Sequence, residues 1–227
     1  PPPEPPVIPA PETPPQAAST STAPTPAAQS EGAGLTLITC HANADFDAFA
    51  GMLAARFLYT PHVLLFPGSQ ERGLQKLVAG LDMEALGIKE TAAIPWNDIT
   101  RLVVVDTRQR GRINHVAQLL DRADVTVELW DHHPDSTDDI SSPHTHMAHI
   151  GSVTSLIVQS IAERGLSMSA EDATLLGLGI YGDTGSFTYS STTQADFQAA
   201  AWLLGMGMDV NRIDALAAHE LTSLHIQ

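Results

Sequence analysis

The sequence predicts an α/β protein: a mostly parallel β-sheet with helices on both faces, followed by a helical segment. Three observations predict it. Composition changes sharply near Glu31, short apolar runs alternate four times with helix-period patterns, and the runs lack polar interruption, as in Leu102-Val103-Val104-Val105. Parallel strands buried on both faces read as continuous apolar runs, and alternation of strand and helix with right-handed crossovers builds such sheets.

Residues 1–34 are almost entirely Pro, Ala, Ser, Thr and Glu, with Val7 and Ile8 as the bulky apolar residues. So little core cannot offset the entropy of ordering, and the segment reads as a disordered linker. Its Pro runs favour extended polyproline II, which suits a spacer; a ligand for SH3-like domains is the second reading. No basic start followed by an unbroken apolar stretch marks a targeting signal, and no stretch of roughly 18 charge-free apolar residues marks a membrane span. The expectation is a soluble, cytoplasmic protein with no membrane partner.

Residues 35–227 read as one folded domain. The apolar run Leu35 to Cys40 is a strand, and it leads through His41 to Asp47 into a helix carrying Phe49, Met52, Leu53, Phe57 and Leu58. The order repeats with Val63 to Phe66 and a helix around Leu74 to Leu81, with Leu102 to Val105 and Ile113 to Leu120, and with Val125 to Trp130, a loop, and Val153 to Ala162. Beyond Ala162 the pattern is helical over Ala170 to Ile180, Thr193 to Leu204 and Val210 to Ala217, with Gly-containing turns between. No second, substrate-binding domain is evident, so the chain reads as part of a longer multidomain protein. Its oligomeric state does not follow from the residues.

The formal net charge is −15, from 26 acidic and 11 basic residues, and only Glu4, Glu12 and Glu31 of the acids lie before Gly34. Such a balance argues against nucleic-acid binding through a broad basic face and leaves a local patch open. Clustered carboxylates point instead to metals or small ligands. The single Cys40 excludes an internal disulfide and, at the end of an apolar run, reads as a buried thiol.

In open α/β sheets ligands bind beyond the carboxyl ends of the strands, where this chain collects its unusual polar residues. His41, Asp45 and Asp47 follow the first strand. Asp106 ends Val103-Val104-Val105; Asp131, His132 and His133 end the run to Trp130; Asp183 lies in Gly179-Ile180-Tyr181-Gly182-Asp183-Thr184-Gly185. Taken alone, Asp106 reads as a cap or turn former, His41 as a buried histidine and Asp47 as a helix N-cap. Together, carboxylates crowded at one rim repel unless protonated or bound to cations, and imidazole with carboxylate suits Mn, Fe, Co or Mg. Two ions roughly 3.5–4 Å apart supply that neutralisation and activate a water.

Asp131-His132-His133-Pro134 is the motif that names the DHH phosphoesterases. The chain resembles this family also in His41-Ala-Asn-Ala-Asp45-Phe-Asp47, Val105-Asp106-Thr107, Gly151-Ser152-Val153-Thr154 and Gly179 to Phe187, in family order across most of residues 35–190. Phe66 to Glu71 and Arg101 to Gln109 are further similar to the subgroup fused to CBS domains and a poly(A) polymerase or tRNA nucleotidyltransferase-type domain. The resemblance implies that His41 and Asp45 hold a first metal, that Asp47, His132 and Asp183 hold a second, and that Asp106 bridges them. It implies two Mn2+ ions, with Mg2+ or Co2+ as alternatives, and hydrolysis by a metal-bridging hydroxide with Asp106, His132 and His133 as catalytic residues. His133 contacts phosphate or orients the site, and Asp131 holds His132 from behind. Expected substrates are short oligonucleotides, nucleotides or RNA ends.

For substrate binding, Arg108 and Arg110, with Arg112 beside them, offer local positive charge or are solvated loop residues. Gly151, Ser152 and Thr154 begin a helix, where they meet phosphate or merely cap it. His144, His146 and His149 read as exposed strand or loop residues, with a further metal site as the lesser reading, and Trp96 and Trp130 as packing residues. Two other classes stay open: a non-catalytic nucleotide- or RNA-binding module of a larger CBS and poly(A) polymerase-type protein, and a structural scaffold.

Overall fold

A computed structural model describes residues 34–213, so most of the expected linker lies outside the described residues. Of the helix expected over Val210 to Ala217, Val210 to Ile213 are helical and the remainder lies outside the described residues. Strands β1 (Leu35–Cys40), β2 (His62–Leu65), β3 (Ile99–Val105), β4 (Thr126–Asp131) and β5 (His144–Met147) form one parallel sheet in the order β2-β1-β3-β4-β5. Helices α1 (Phe46–Ala55), α2 (Arg72–Val78), α3 (Ala117–Leu120), α4 (Val153–Glu163), α5 (Ala170–Asp183) and α6 (Gln194–Gly205) complete the domain.

Alternation along the strands divides the apolar residues between two cores. On one face Ile38, Cys40, Leu64, Val103, Val105 and Trp130 pack under α1, α2, α4, α5 and α6. On the other, Leu37, Val63, Leu65, Leu102, Val104 and Leu129 pack against Ile94, Ile113, Val116 and Leu119. Helix α1 explains its own position: every residue from Asp47 to Ala55 is buried, and a helix apolar all round belongs in a core. It crosses α5 so closely that a Cβ at Gly179 would lie 2.5 Å from Ala50 Cβ and 3.2 Å from the Phe46 carbonyl oxygen.

One local expectation needs correction. The helix expected over Ile113 to Leu120 is a 3-10 turn, Asn114–Val116, followed by the single turn α3, and a further 3-10 turn, Arg110–Arg112, precedes it. Ile113 breaks from helical backbone at φ −122°, ψ 34°, and the Asn114 side chain donates to the Gly111 carbonyl (3.0 Å), a local bond that competes with helix. The segment read as strand or loop at His144 is β5, held by parallel pairing to β4 although its residues are mostly exposed. No helix among the described residues is long and apolar enough to cross a membrane.

Candidate metal centre

Strand order reverses between β1 and β3, and such a switch point opens a crevice at the strands' carboxyl ends. Register does the rest. Cys40 pairs with Val105, and Val105 with Trp130, so His41, Asp106 and Asp131 leave three adjacent strands side by side. Asp106 turns at once, with φ 64° and its N–H donated to the Trp130 carbonyl at 2.8 Å. A non-glycine residue in the left-handed region is uncommon and marks a site where position matters more than local comfort. Asp45 caps α1 by accepting from the Ala48 N–H at 2.9 Å, which sets Asp47 in the first turn of a buried helix. Asp183 is the last residue of α5, brought in by the close α1–α5 crossing.

Three groups of side chains converge so that one candidate ligand atom from each lies within 4.8 Å of the others: His41, Asp45 and Asp106; Asp47, His132 and Asp183; and Asp106, His132 and His133. All six residues expected as ligands are thus brought to one locus. Asp106 joins the halves, with Oδ2 3.3 Å from His41 Nε2 and Oδ1 3.3 Å from His132 Nε2. His132 Nε2 also lies 3.2 Å from Asp183 Oδ2 and 3.7 Å from Asp47 Oδ2.

The donor set fits a divalent metal. His132 places Nδ1 3.0 Å from the Ile150 carbonyl, where an N–H donates and leaves the Nε2 lone pair facing three carboxylates. Buried His132 Nε2 and Asp106 Oδ1 each lack a hydrogen bond of acceptable geometry, an uncommon condition that a shared cation relieves. His41 repeats the pattern, with Nδ1 2.8 Å from the Ala42 carbonyl and Nε2 toward Asp106. Proton affinities show the same need for positive charge. Burial, then the charge of Asp106, pushes Asp183 up to about 6 and raises Asp45 and Asp47. Burial works against a charged His132, but the contact with Asp106 and the charge of Asp47 win and push it up to about 10.

Comparison with solved structures places this architecture. An exopolyphosphatase-related protein from Bacteroides fragilis superposes with a TM-score of 0.65 at 20% identity, over 81% of this chain and 55% of that one. The fold is that of DHH-type domains. In sequence, the chain is 39% identical over 187 residues to an A-adding tRNA nucleotidyltransferase from Geobacter sulfurreducens, covering 82% of this chain and 21% of the relative. It is 34% identical over 110 residues to a probable bifunctional oligoribonuclease and PAP phosphatase NrnA from Streptococcus mutans, covering 48% of this chain and 34% of that one. The chain therefore spans 21% of the length of the first of these relatives. No protein-family model matches it.

The residues around this centre have definite partners. Asp131 is buried and holds His133 rather than the His132 ring: its Oδ1 accepts from His133 Nδ1 at 2.8 Å and from the His132 N–H at 2.9 Å. The His132 ring is steered by the Ile150 carbonyl, which no sequence motif signals. Arg108 is neither solvated nor open to an anion. Its Nε donates to Asp131 Oδ2 (2.9 Å), Nη1 to Asp135 Oδ1 (2.9 Å) and Nη2 to the His133 carbonyl (2.8 Å), with Asp139 at 3.2 Å. Arg110 pairs on the surface with Asp121 at 2.7 Å. Arg112 instead reaches the metal locus, with Nη2 2.9 Å from His41 Nδ1 and 3.1 Å from its Nε2.

The start of α4 is filled from within. The Val153 and Thr154 N–H groups donate to the two oxygens of Asp47 (2.7 and 3.1 Å), the Ser155 N–H to Ser152 Oγ (3.0 Å) and the Gly151 N–H to Asp196 Oδ2 (3.0 Å). Gly151, Ser152 and Thr154 thus spend these groups on the fold, and the anion at this helix terminus is Asp47. Asp47 is a cap, but of α4 and not of its own helix. Asp196 was findable, because Thr193-x-x-Asp196 has capping-box spacing and the structure has that box. His146 stacks on Trp130 at 3.9 Å and meets Glu128 Oε1 at 2.9 Å. Trp130 is buried and Trp96 packs against the second core. Among the described residues His144, His146 and His149 join no ligand group.

Proposed function

We propose that residues 35–227 form a two-metal phosphoesterase domain that hydrolyses phosphate esters of short oligonucleotides, nucleotides or RNA ends. On this reading residues 1–34 are a linker, and the chain is part of a longer cytoplasmic protein. One observation carries the proposal: Asp106 directs one carboxylate oxygen to each of two histidine-carboxylate groups. That is the arrangement a bridging ligand needs.

His41 and Asp45 would hold one ion and Asp47, His132 and Asp183 the other, with Asp106 available to both groups. Bound Mn2+, or Mg2+ or Co2+ in its place, supplies Lewis-acid polarisation of a phosphoryl oxygen and a water acidified toward neutral pH. His133, half-exposed, is anchored through Nδ1 by Asp131, and this contact raises its proton affinity against the opposing effect of burial. Its other nitrogen is thereby available, in the protonated form, to meet a phosphate oxygen or give a proton to the departing oxygen. Asp131 in turn is fixed by Arg108. The name of the S. mutans relative, an oligoribonuclease and phosphatase, supports this substrate class.

A second reading has its own support. The G. sulfurreducens relative is named for adding A to tRNA, and this chain spans only 21% of it. On that reading the domain binds nucleotide or RNA without cleaving it. Manganese-dependent hydrolysis of a generic phosphodiester and of di- to pentanucleotides, in the longest natural chain carrying these residues, separates the two. Turnover lost in Asp106→Ala supports hydrolysis; equal rates in both proteins reject the mechanism.

A further inference from the structure

We infer that Arg112 is a phosphate-binding residue of this centre, and that in its contact with His41 its charge opposes metal binding there. The inference rests on the phosphoesterase reading and adds a residue to it. Within the segment from Arg108 to Arg112, Arg108 is committed to Asp131, Asp135 and Asp139, and Arg110 to Asp121. Arg112 has no ion pair among the described residues. Its Nη2 instead sits 2.9 and 3.1 Å from the two ring nitrogens of His41.

His41 Nδ1 is served by the Ala42 carbonyl at 2.8 Å, so Nε2 is the atom left to ligate. Nearly equal distances to the two ring nitrogens put Nη2 over the ring face, so the Nε2 lone pair stays free for a metal ion at about 2.1 Å while the guanidinium is close enough to repel that ion. The repulsion favours a guanidinium turned off the ring. The backbone does not let Arg112 go far: the Ala42 N–H donates to the Arg112 carbonyl at 2.8 Å and ties this turn to the loop bearing His41. Turned off His41, the guanidinium stays at the rim of a centre whose substrate is an anion. Its planar fork matches two oxygens of a phosphate, and the other nearby arginine, Arg108, is occupied.

The experiment measures two affinities that this role moves in opposite directions. In the full natural chain, Mn2+ is titrated alone by calorimetry, and inorganic phosphate is then titrated into the Mn2+-loaded protein. Arg112→Gln is expected to bind Mn2+ about fivefold more tightly, since a competing charge is gone. Phosphate should bind about tenfold or more weakly, with a rise in KM for a generic phosphodiester exceeding any fall in kcat. Arg112→Lys keeps the charge without the fork; it should restore wild-type Mn2+ affinity and only part of the phosphate affinity, and it carries the test if the Gln variant is unfolded. Weaker Mn2+ binding in Arg112→Gln, or phosphate binding within twofold of wild type, overturns the assignment. A wild-type chain that binds no Mn2+ overturns the metal reading beneath it, whereas wild-type binding unmoved in the variants overturns only the role of Arg112.

Discussion

Adding one methyl group to α5, in Gly179→Ala, should damage one half of the centre and spare the other. The new Cβ would lie 2.5 Å from Ala50 Cβ, 2.8 Å from Thr154 Oγ1 and 3.2 Å from the Phe46 carbonyl oxygen. Carbon atoms pack at about 3.5 Å or more, so α5 must retreat from α1 by roughly 1 Å. Overpacking of this kind costs about 1–3 kcal/mol, and the gain in helix propensity returns up to about 1 kcal/mol. A net loss of about 1–2 kcal/mol lowers Tm by roughly 2–8 °C in a domain of this size. Asp183 lies one turn beyond Gly179 on the same face and moves with the helix. Thr154, whose N–H holds Asp47, is pushed as well. Asp47 and Asp183 belong to one ligand group, while His41 and Asp45 belong to the other. Metal sites tolerate ligand shifts of only about 0.2 Å, so affinity at the Asp183 group should fall about tenfold or more. Thermal melts with and without Mn2+, beside a calorimetric titration that resolves two classes of site, test this. Unchanged Tm with two intact sites would refute both the packing argument and the coupling of α5 to the centre.

Replacing Arg108 by Met leaves Asp131 buried without its guanidinium partner, and the expected loss is about 3–5 kcal/mol, read as a lower midpoint in urea unfolding. Asp106→Asn should abolish most of the rise in Tm that Mn2+ produces, because both ligand groups share that carboxylate; an undiminished rise would remove Asp106 from the centre. The response to pH has a definite sign. With chelator present, a raised Asp183 holds its proton more tightly in the folded protein, so its stabilising effect is complete below about 4 and is lost as pH rises through about 6. His132 acts in the same sense, stabilising fully below about 6.5 and losing that effect as pH rises through about 10. Mn2+ competes with those protons, so the gap between melts with and without Mn2+ should widen from pH 5 to pH 8; a constant gap would count against these ligands.

Much of this was legible because each strand announces its end. Cys40 to His41, Val105 to Asp106 and Trp130 to Asp131 are abrupt steps from apolar to polar, and parallel register turns three such steps into neighbours. What could not be read is decided through space. Nothing in Arg108-Gln109-Arg110-Gly111-Arg112 says that the first arginine is buried among acids, the second exposed and the third turned to His41. That sorting depends on a 3-10 turn, Arg110–Arg112, that no periodicity in the segment signals. Strand β5 was readable only as exposed strand or loop because His144-Thr145-His146-Met147 lies at the sheet edge and buries little, so its pairing with β4 decides between the two.

Asp47 connects the fold to the chemistry. A helix N-terminus is a ready site for a phosphate, and the sequence places one at Gly151 to Thr154. Here both oxygens of a buried carboxylate occupy it, so α4 stabilises Asp47 rather than substrate. The carboxylate is thereby held within 3.7 Å of His132 Nε2 with its two oxygens oriented by backbone, which a flexible side chain could not do. The consequence concerns where substrate charge can be met. With the α4 amides and Arg108 both spent inside the fold, a phosphate at the proposed centre would be met by the metal ions, His133 and Arg112.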